Sequence, residues 1–157
     1  MDPGRISIIG VSLGAPFAVV AAADHGVPGL GLIHGFADVP QVIAHRLIER
    51  WAPERSTWAQ APIRALAWAL CGYAGVPDIA AAAARLQAHQ RAWMLSAADD
   101  DLIPAAATAS LRRGLAASDA SVEFETEPGG HLRGEDDPRI PQLLARGEAW
   151  LERAGLR

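Results

Sequence analysis

Ser12 stands in Gly10-Val11-Ser12-Leu13-Gly14, between the β-branched run Ile6-Ser7-Ile8-Ile9 and the alanine-rich stretch from Ala15 to Ala23. The pattern predicts a strand, a very tight turn and a helix, with the hydroxyl at the apex. Such a turn brings backbone segments so close that a Cβ at Gly10 or Gly14 is expected to clash. It also directs the first free N–H groups of the helix at whatever the hydroxyl attacks. A hydroxyl is a poor nucleophile until a base takes its proton, and an imidazole held by a carboxylate is the usual solution. Five histidines are available. His25, His34, His45 and His89 fall at a helix end, a strand end and within helical stretches, positions where a lone histidine is ordinarily structural or solvated. His34 closes a strand near the same rim and could line a site there. His131 alone lies in a glycine-flanked loop, Gly129-Gly130-His131, after the last expected strand. The carboxylate is open among Asp99, Asp100 and Asp101. These three read equally as a capping loop, while a calcium site is weaker for want of other spaced oxygen ligands. No pair of histidines has metal-ligand spacing with a supporting motif, so no metal is expected.

The elements that must hold these residues follow from periodicity. Ile6–Val11 is the first strand and Leu13 to about Asp24 its helix, ended by Gly26. Leu30–His34 is a second strand, making a βαβ unit with parallel strands. Gly29, Gly31 and Gly35 lie in and around that strand with the wrong spacing for a dinucleotide fingerprint. Residues 36–90 change character: Val39–Trp51, Ala61–Tyr73 and Pro77–Gln90 are helical by spacing, the last capped by Asp78. This stretch holds Trp51, Trp58 and Trp68, three of the five tryptophans, most of them expected in the core. Ala92–Ser96 is a third strand, Ala105–Ala117 a helix, Ser121–Glu125 a fourth strand, and Pro138–Ala154 a closing helix with one apolar face.

The elbow Gly10-Val11-Ser12-Leu13-Gly14, preceded by Asp2-Pro3-Gly4-Arg5-Ile6, resembles that of the α/β-hydrolase superfamily, in particular its esterase and dienelactone-hydrolase-like branch. The likeness continues in the chain order Ser, acid, His. Ala97-Ala98-Asp99-Asp100-Asp101-Leu102-Ile103-Pro104 is similar to the family's Gly-x-x-Asp-x-Leu-Val-Pro, with Ala97 in place of Gly, which puts the acid at Asp100. Asp99 and Asp101 would then be solvated neighbours helping to cap the next helix. Gly130-His131 matches the family's Gly-His. The resemblance implies a three-layer α/β sandwich with a mostly parallel sheet of about four strands, and a helical cap or lid at 36–90 within a single domain of 1–157. Ordinary helical packing on the sheet is the equal alternative for that segment. It further implies a serine hydrolase of carboxylic esters or similar acyl compounds, with Ser12 as nucleophile, His131 as base, Asp100 as orienter and the Leu13 N–H as oxyanion donor. A catalytically weak fragment serving as a binding module is the alternative; a peptidase or acyltransferase on the same scaffold is a third reading. A dienelactone-type cysteine nucleophile is not supported, since position 12 is serine.

Only nine residues precede Gly10. The likeness therefore covers the C-terminal part of the family pattern, without the loop that gives the second oxyanion donor, whose loss costs about 10²–10³ in rate. Without upstream neighbours Ile6–Val11 becomes an unprotected apolar edge, expected to pair with a second copy or a separate N-terminal half. Composition narrows the rest. Half of the 157 residues are hydrophobic and a fifth charged, a globular balance, and a net charge of −4 leaves no footprint for nucleic acid. A small-molecule ester is the expected partner, with no cofactor. No signal peptide or bilayer-spanning run is read, and the single cysteine, Cys71, excludes an intrachain disulfide, which fits a cytoplasmic setting.

Overall fold

Alternating aliphatic residues give four strands two faces each, and the faces decide the layers. The computed structural model describes residues 6–51, 57–134 and 136–156; the leading turn read at Met1–Arg5 lies outside them. β1 (Ser7–Val11), β2 (Gly29–Ile33), β3 (Arg91–Ala97) and β4 (Ser121–Glu127) form an all-parallel sheet in the order β1-β2-β3-β4. Leu30, Leu32, Ala92 and Met94, with Ile8, Val122 and Phe124, face α1 (Gly14–His25), α4 (Ile79–Ala84) and α5 (Ala105–Ala116). Ile33, Trp93 and Leu95, with Ile9 and Val11, face α6 (Ile140–Arg153), where the Trp93 and Trp150 rings stack with centroids 6.2 Å apart. The result is the expected three-layer α/β arrangement, its wholly buried strand being β2. Among the described residues β1 pairs on one side only, with β2.

Residues 36–90 divide by what they pack on. α2 (Val39–Trp51) and α3 (Thr57–Tyr73) pack on each other, and Val42 anchors α2 beside Phe36, Ile103 and Ala107. α4 instead contributes Ile79, Ala82 and Ala83 to the sheet core, leaving any covering role to α2 and α3.

Three expectations need correction. The third helix of this segment stops at Ala84 rather than Gln90, because the buried Gln90 side chain is used elsewhere. Its Nε2 donates to the carbonyls of Ala22 and Val27, its Oε1 accepts from Gln87 N, and so it closes a turn against the end of α1. Nor are the tryptophans of this segment core: Trp51, Trp58 and Trp68 are 69%, 80% and 59% exposed. Among the described side chains of α3 only Ala67 and Cys71 are buried, since that helix rests on α2 and not on the sheet. Finally, a Cβ at Gly10 would lie 2.7 Å from Ala15 Cα and Ala18 Cβ, but one at Gly14 meets nothing within 4 Å. Gly14 opens α1 on its exposed side, so only Gly10 is required by close approach.

Candidate active site

In a parallel sheet all the C-terminal strand ends share one edge, and the hydrogen-bond ladder here runs on past them. Ser12 N donates to Ile33 O (2.8 Å), His34 N to Leu95 O (2.8 Å), Ala98 N to Glu127 O (2.8 Å) and Asp99 N to Gly129 O (3.0 Å). Those bonds tie together the loops that carry Ser12, His34, Asp100 and His131. Ser12 has φ 49°, a left-handed backbone that non-glycine residues avoid, and the Ala15 N–H donates to its carbonyl at 3.0 Å. The turn is thus as tight as its sequence implies, and Leu13 follows at the N-cap of α1, 62% exposed.

The structure brings together the three side chains singled out from sequence. Ser12 Oγ lies 2.6 Å from His131 Nε2, and His131 Nδ1 lies 2.8 Å from Asp100 Oδ2. A carboxylate only accepts, so Nδ1 carries the proton and donates to Asp100. In the neutral ring Nε2 then accepts from the Ser12 hydroxyl. Asp100 Oδ1 accepts from the N–H groups of Leu102 (3.0 Å) and Ile103 (2.8 Å), fixing the carboxylate. Burial alone would raise its pKa. The hydrogen bonds from His131 and from the Ile103 and Leu102 amides outweigh that, and hold it below the usual carboxylate value. An ionised Asp100, a neutral His131 and a hydroxyl in line can move one proton from oxygen to nitrogen.

The neighbouring aspartates behave differently from the expected caps. Asp101 pairs with Arg133 at the surface (2.6 Å), and α5 starts after Pro104 with no side-chain cap. Of the other histidines, His25 is in the last turn of α1 and His89 near the Gly26 carbonyl, while His45, beside Glu49 on α2, has its Nε2 3.5 Å from the Asp101 carbonyl at the surface.

Sequence reasoning named His34 only as a residue near the rim, and missed Glu127 and Arg139. His34 is 2% exposed, has φ 52°, and its Nε2 is 2.9 Å from Glu127 Oε1. Its ring centroid lies 5.2 Å from that of His131. Arg139 donates to the carbonyls of Gly130 and His131, each at 2.9 Å, and Asp137 holds its guanidinium. The legible signal was weak: Glu127 sits next to Pro128-Gly129-Gly130-His131, but the strand's alternation reads it as one more exposed acid. Donor atoms of His34, Asp100 and His131 lie within 4.8 Å of one another, yet Asp100 and His131 are already spent on each other and on Ser12.

Beside Leu13 an apolar groove of about 480 Å³ runs along α1, lined by Pro16, Phe17, Val20, Val39 and Val76.

No protein-family model and no curated protein sequence matches this chain. Solved structures do. An esterase from Pyrococcus furiosus superposes with a TM-score of 0.60 at 13% identity, covering 95% of this chain and 53% of its own. The α/β hydrolase GrgF from a Penicillium species gives 0.60 at 16% identity, over 97% of this chain and 64% of its own. The capsule O-acetyltransferase of Neisseria meningitidis serogroup A gives 0.57 at 10% identity, over 100% and 58%. The fold is that of the α/β hydrolases, and the chain spans between half and two-thirds of the length of these structures.

Proposed function

We propose that this chain is a serine hydrolase of carboxylic esters or similar acyl compounds, working through an acyl-enzyme. The observation that carries the reading is the continuous path from Ser12 Oγ through His131 to Asp100, at 2.6 and 2.8 Å. In the first half-reaction Ser12 Oγ attacks the acyl carbon as His131 Nε2 takes its proton. The tetrahedral oxyanion is met by the Leu13 N–H, and collapse expels the alcohol, which takes the proton from His131. Water then repeats the sequence on the acyl-enzyme, releasing the acid and restoring Ser12. Asp100 keeps the proton of His131 on Nδ1 and stabilises the imidazolium between the two transfers. The groove beside Leu13 supports an aliphatic or aromatic acyl group. The scaffold, shared with an esterase and an O-acetyltransferase, is compatible with transfer of the acyl group to an alcohol in place of water. Cytoplasmic residence belongs to the same reading, on the strength of a single, buried cysteine.

A second reading, a module that binds through its open flank, is favoured by the one-sided pairing of β1 among the described residues together with the exposure of Ile6 just before it. A fluorophosphonate probe separates the two. Covalent labelling of the wild-type chain, abolished in Ser12→Ala, is expected of the hydrolase; folded wild-type protein that takes no label belongs to the module.

A further inference from the structure

His34 combines three unusual properties. Its backbone is left-handed at φ 52°, a conformation that costs a non-glycine residue about 1–3 kcal/mol and persists only where the surroundings impose it. Its side chain is fully enclosed, and its Nδ1 is buried without a hydrogen-bond partner. Its ring rests against His131, the planes tilted by 52°. Nε2 faces the Glu127 carboxylate, so Nε2 carries the proton and donates, and Nδ1 is left as a bare lone pair. Burial holds this imidazole below its ordinary pKa, against the opposing hydrogen bond to Glu127, and the charge of a protonated His131 pushes the same way. The pair is therefore a neutral ring made electron-rich by the carboxylate behind it, set against the base of the proposed reaction.

We propose that His34 and Glu127 are positioning residues that hold the His131 ring and stabilise its imidazolium form alongside Asp100. The proposal rests on the serine-hydrolase reading for its catalytic meaning, though not for its geometry. The groups around His131 set the sign. Asp100 bonds Nδ1 from the loop after β3, with the Asp101–Arg133 ion pair beyond it. His34 and Glu127 approach from the ends of β2 and β4. Arg139, paired with Asp137, clamps the His131 carbonyl from the turn before α6, and Arg146 reaches Glu127 from α6 at 3.4 Å. Glu127 thus also offsets two guanidiniums. Neutralising it leaves Arg139 and Arg146 less opposed, so the His131 imidazolium becomes harder to form and its pKa falls.

The test is a proton NMR titration of His131, assigned by the resonance missing from His131→Gln, in the wild-type chain and in Glu127→Gln. The glutamine still accepts a hydrogen bond from His34 and loses only the charge. The His131 pKa is expected to fall by about one unit. The pH profile of fluorophosphonate labelling should move the same way, with a rate about tenfold lower at neutral pH. A purely structural role would lower unfolding stability and leave the titration where it was. An unchanged His131 titration in folded Glu127→Gln overturns the proposal. Should that variant not fold, His34→Asn, whose side chain tolerates the left-handed backbone, is read identically: a lowered His131 pKa supports the pair and an unmoved one overturns it. Wild-type protein that titrates as expected but never labels at Ser12 removes the hydrolase reading while leaving the pair intact.

Discussion

Two residues carry strain at the strand ends, Ser12 at φ 49° and His34 at φ 52°, and both lie at the proton path. For Ser12 the sequence announces this, since flanking glycines mark the bend that lifts the hydroxyl. For His34 nothing local does, because its neighbour Glu127 comes from 93 positions away. The buried, neutral His34 has a consequence for stability. Its folded pKa is depressed, so as pH falls through the ordinary value of about 6.5 the unfolded chain takes up a proton that the folded chain refuses. Stability should therefore rise with pH between that lowered value and about 6.5, by up to about 1.4 kcal/mol per pH unit from this one group. Urea unfolding across that range should show a shallower pH slope in His34→Asn than in the wild-type chain. Equal slopes would mean that folding leaves the His34 pKa at its unfolded value.

Among the elements, the turn from β1 to α1 makes unequal demands on its two glycines. At Gly10 an added methyl meets backbone and Ala18 at 2.7 Å, atoms that no side-chain rotation can move aside. Gly10→Ala is expected to destabilise by about 1–3 kcal/mol, in line with overpacking a tight site. At Gly14 the methyl enters open space on a helical backbone, so Gly14→Ala should be neutral or stabilise by about 0.4–1 kcal/mol. Thermal unfolding of the two variants checks the contrast, and a costly Gly14→Ala would restore the symmetrical reading. The segment of 36–90 shows the converse difficulty. Apolar residues at helical spacing look alike whether they face a sheet or another helix, so the exposure of Trp58 and Trp68 could not be read from their pattern. The burial of α4 against α1 and α5 could not be read either.

For the whole molecule, the open flank matters most. Among the described residues β1 pairs with β2 alone, and Ile6 just before it is 40% exposed. An unprotected apolar edge favours association, with a second copy or with a polypeptide that supplies further strands. Light scattering after size exclusion should show concentration-dependent self-association. Ile6→Lys should suppress it while Ser12 still labels. A wild-type chain that stays monomeric at high concentration would remove this expectation. No helix among the described residues is long and apolar enough to cross a membrane.

Local chemistry sufficed for the strands, the bend at Ser12 and the parallel order of the sheet, because strand period, glycine placement and crossover length are properties of short stretches. It also narrowed the proposed acid to three adjacent aspartates and the proposed base to one histidine. Which aspartate faces His131 depends on the register between loops more than thirty residues apart, and only the folded sheet sets it. The burial of His34 against Glu127 and His131 is likewise a matter of tertiary packing. Burial turns an ordinary imidazole and carboxylate into a coupled pair by removing the water that would otherwise separate them.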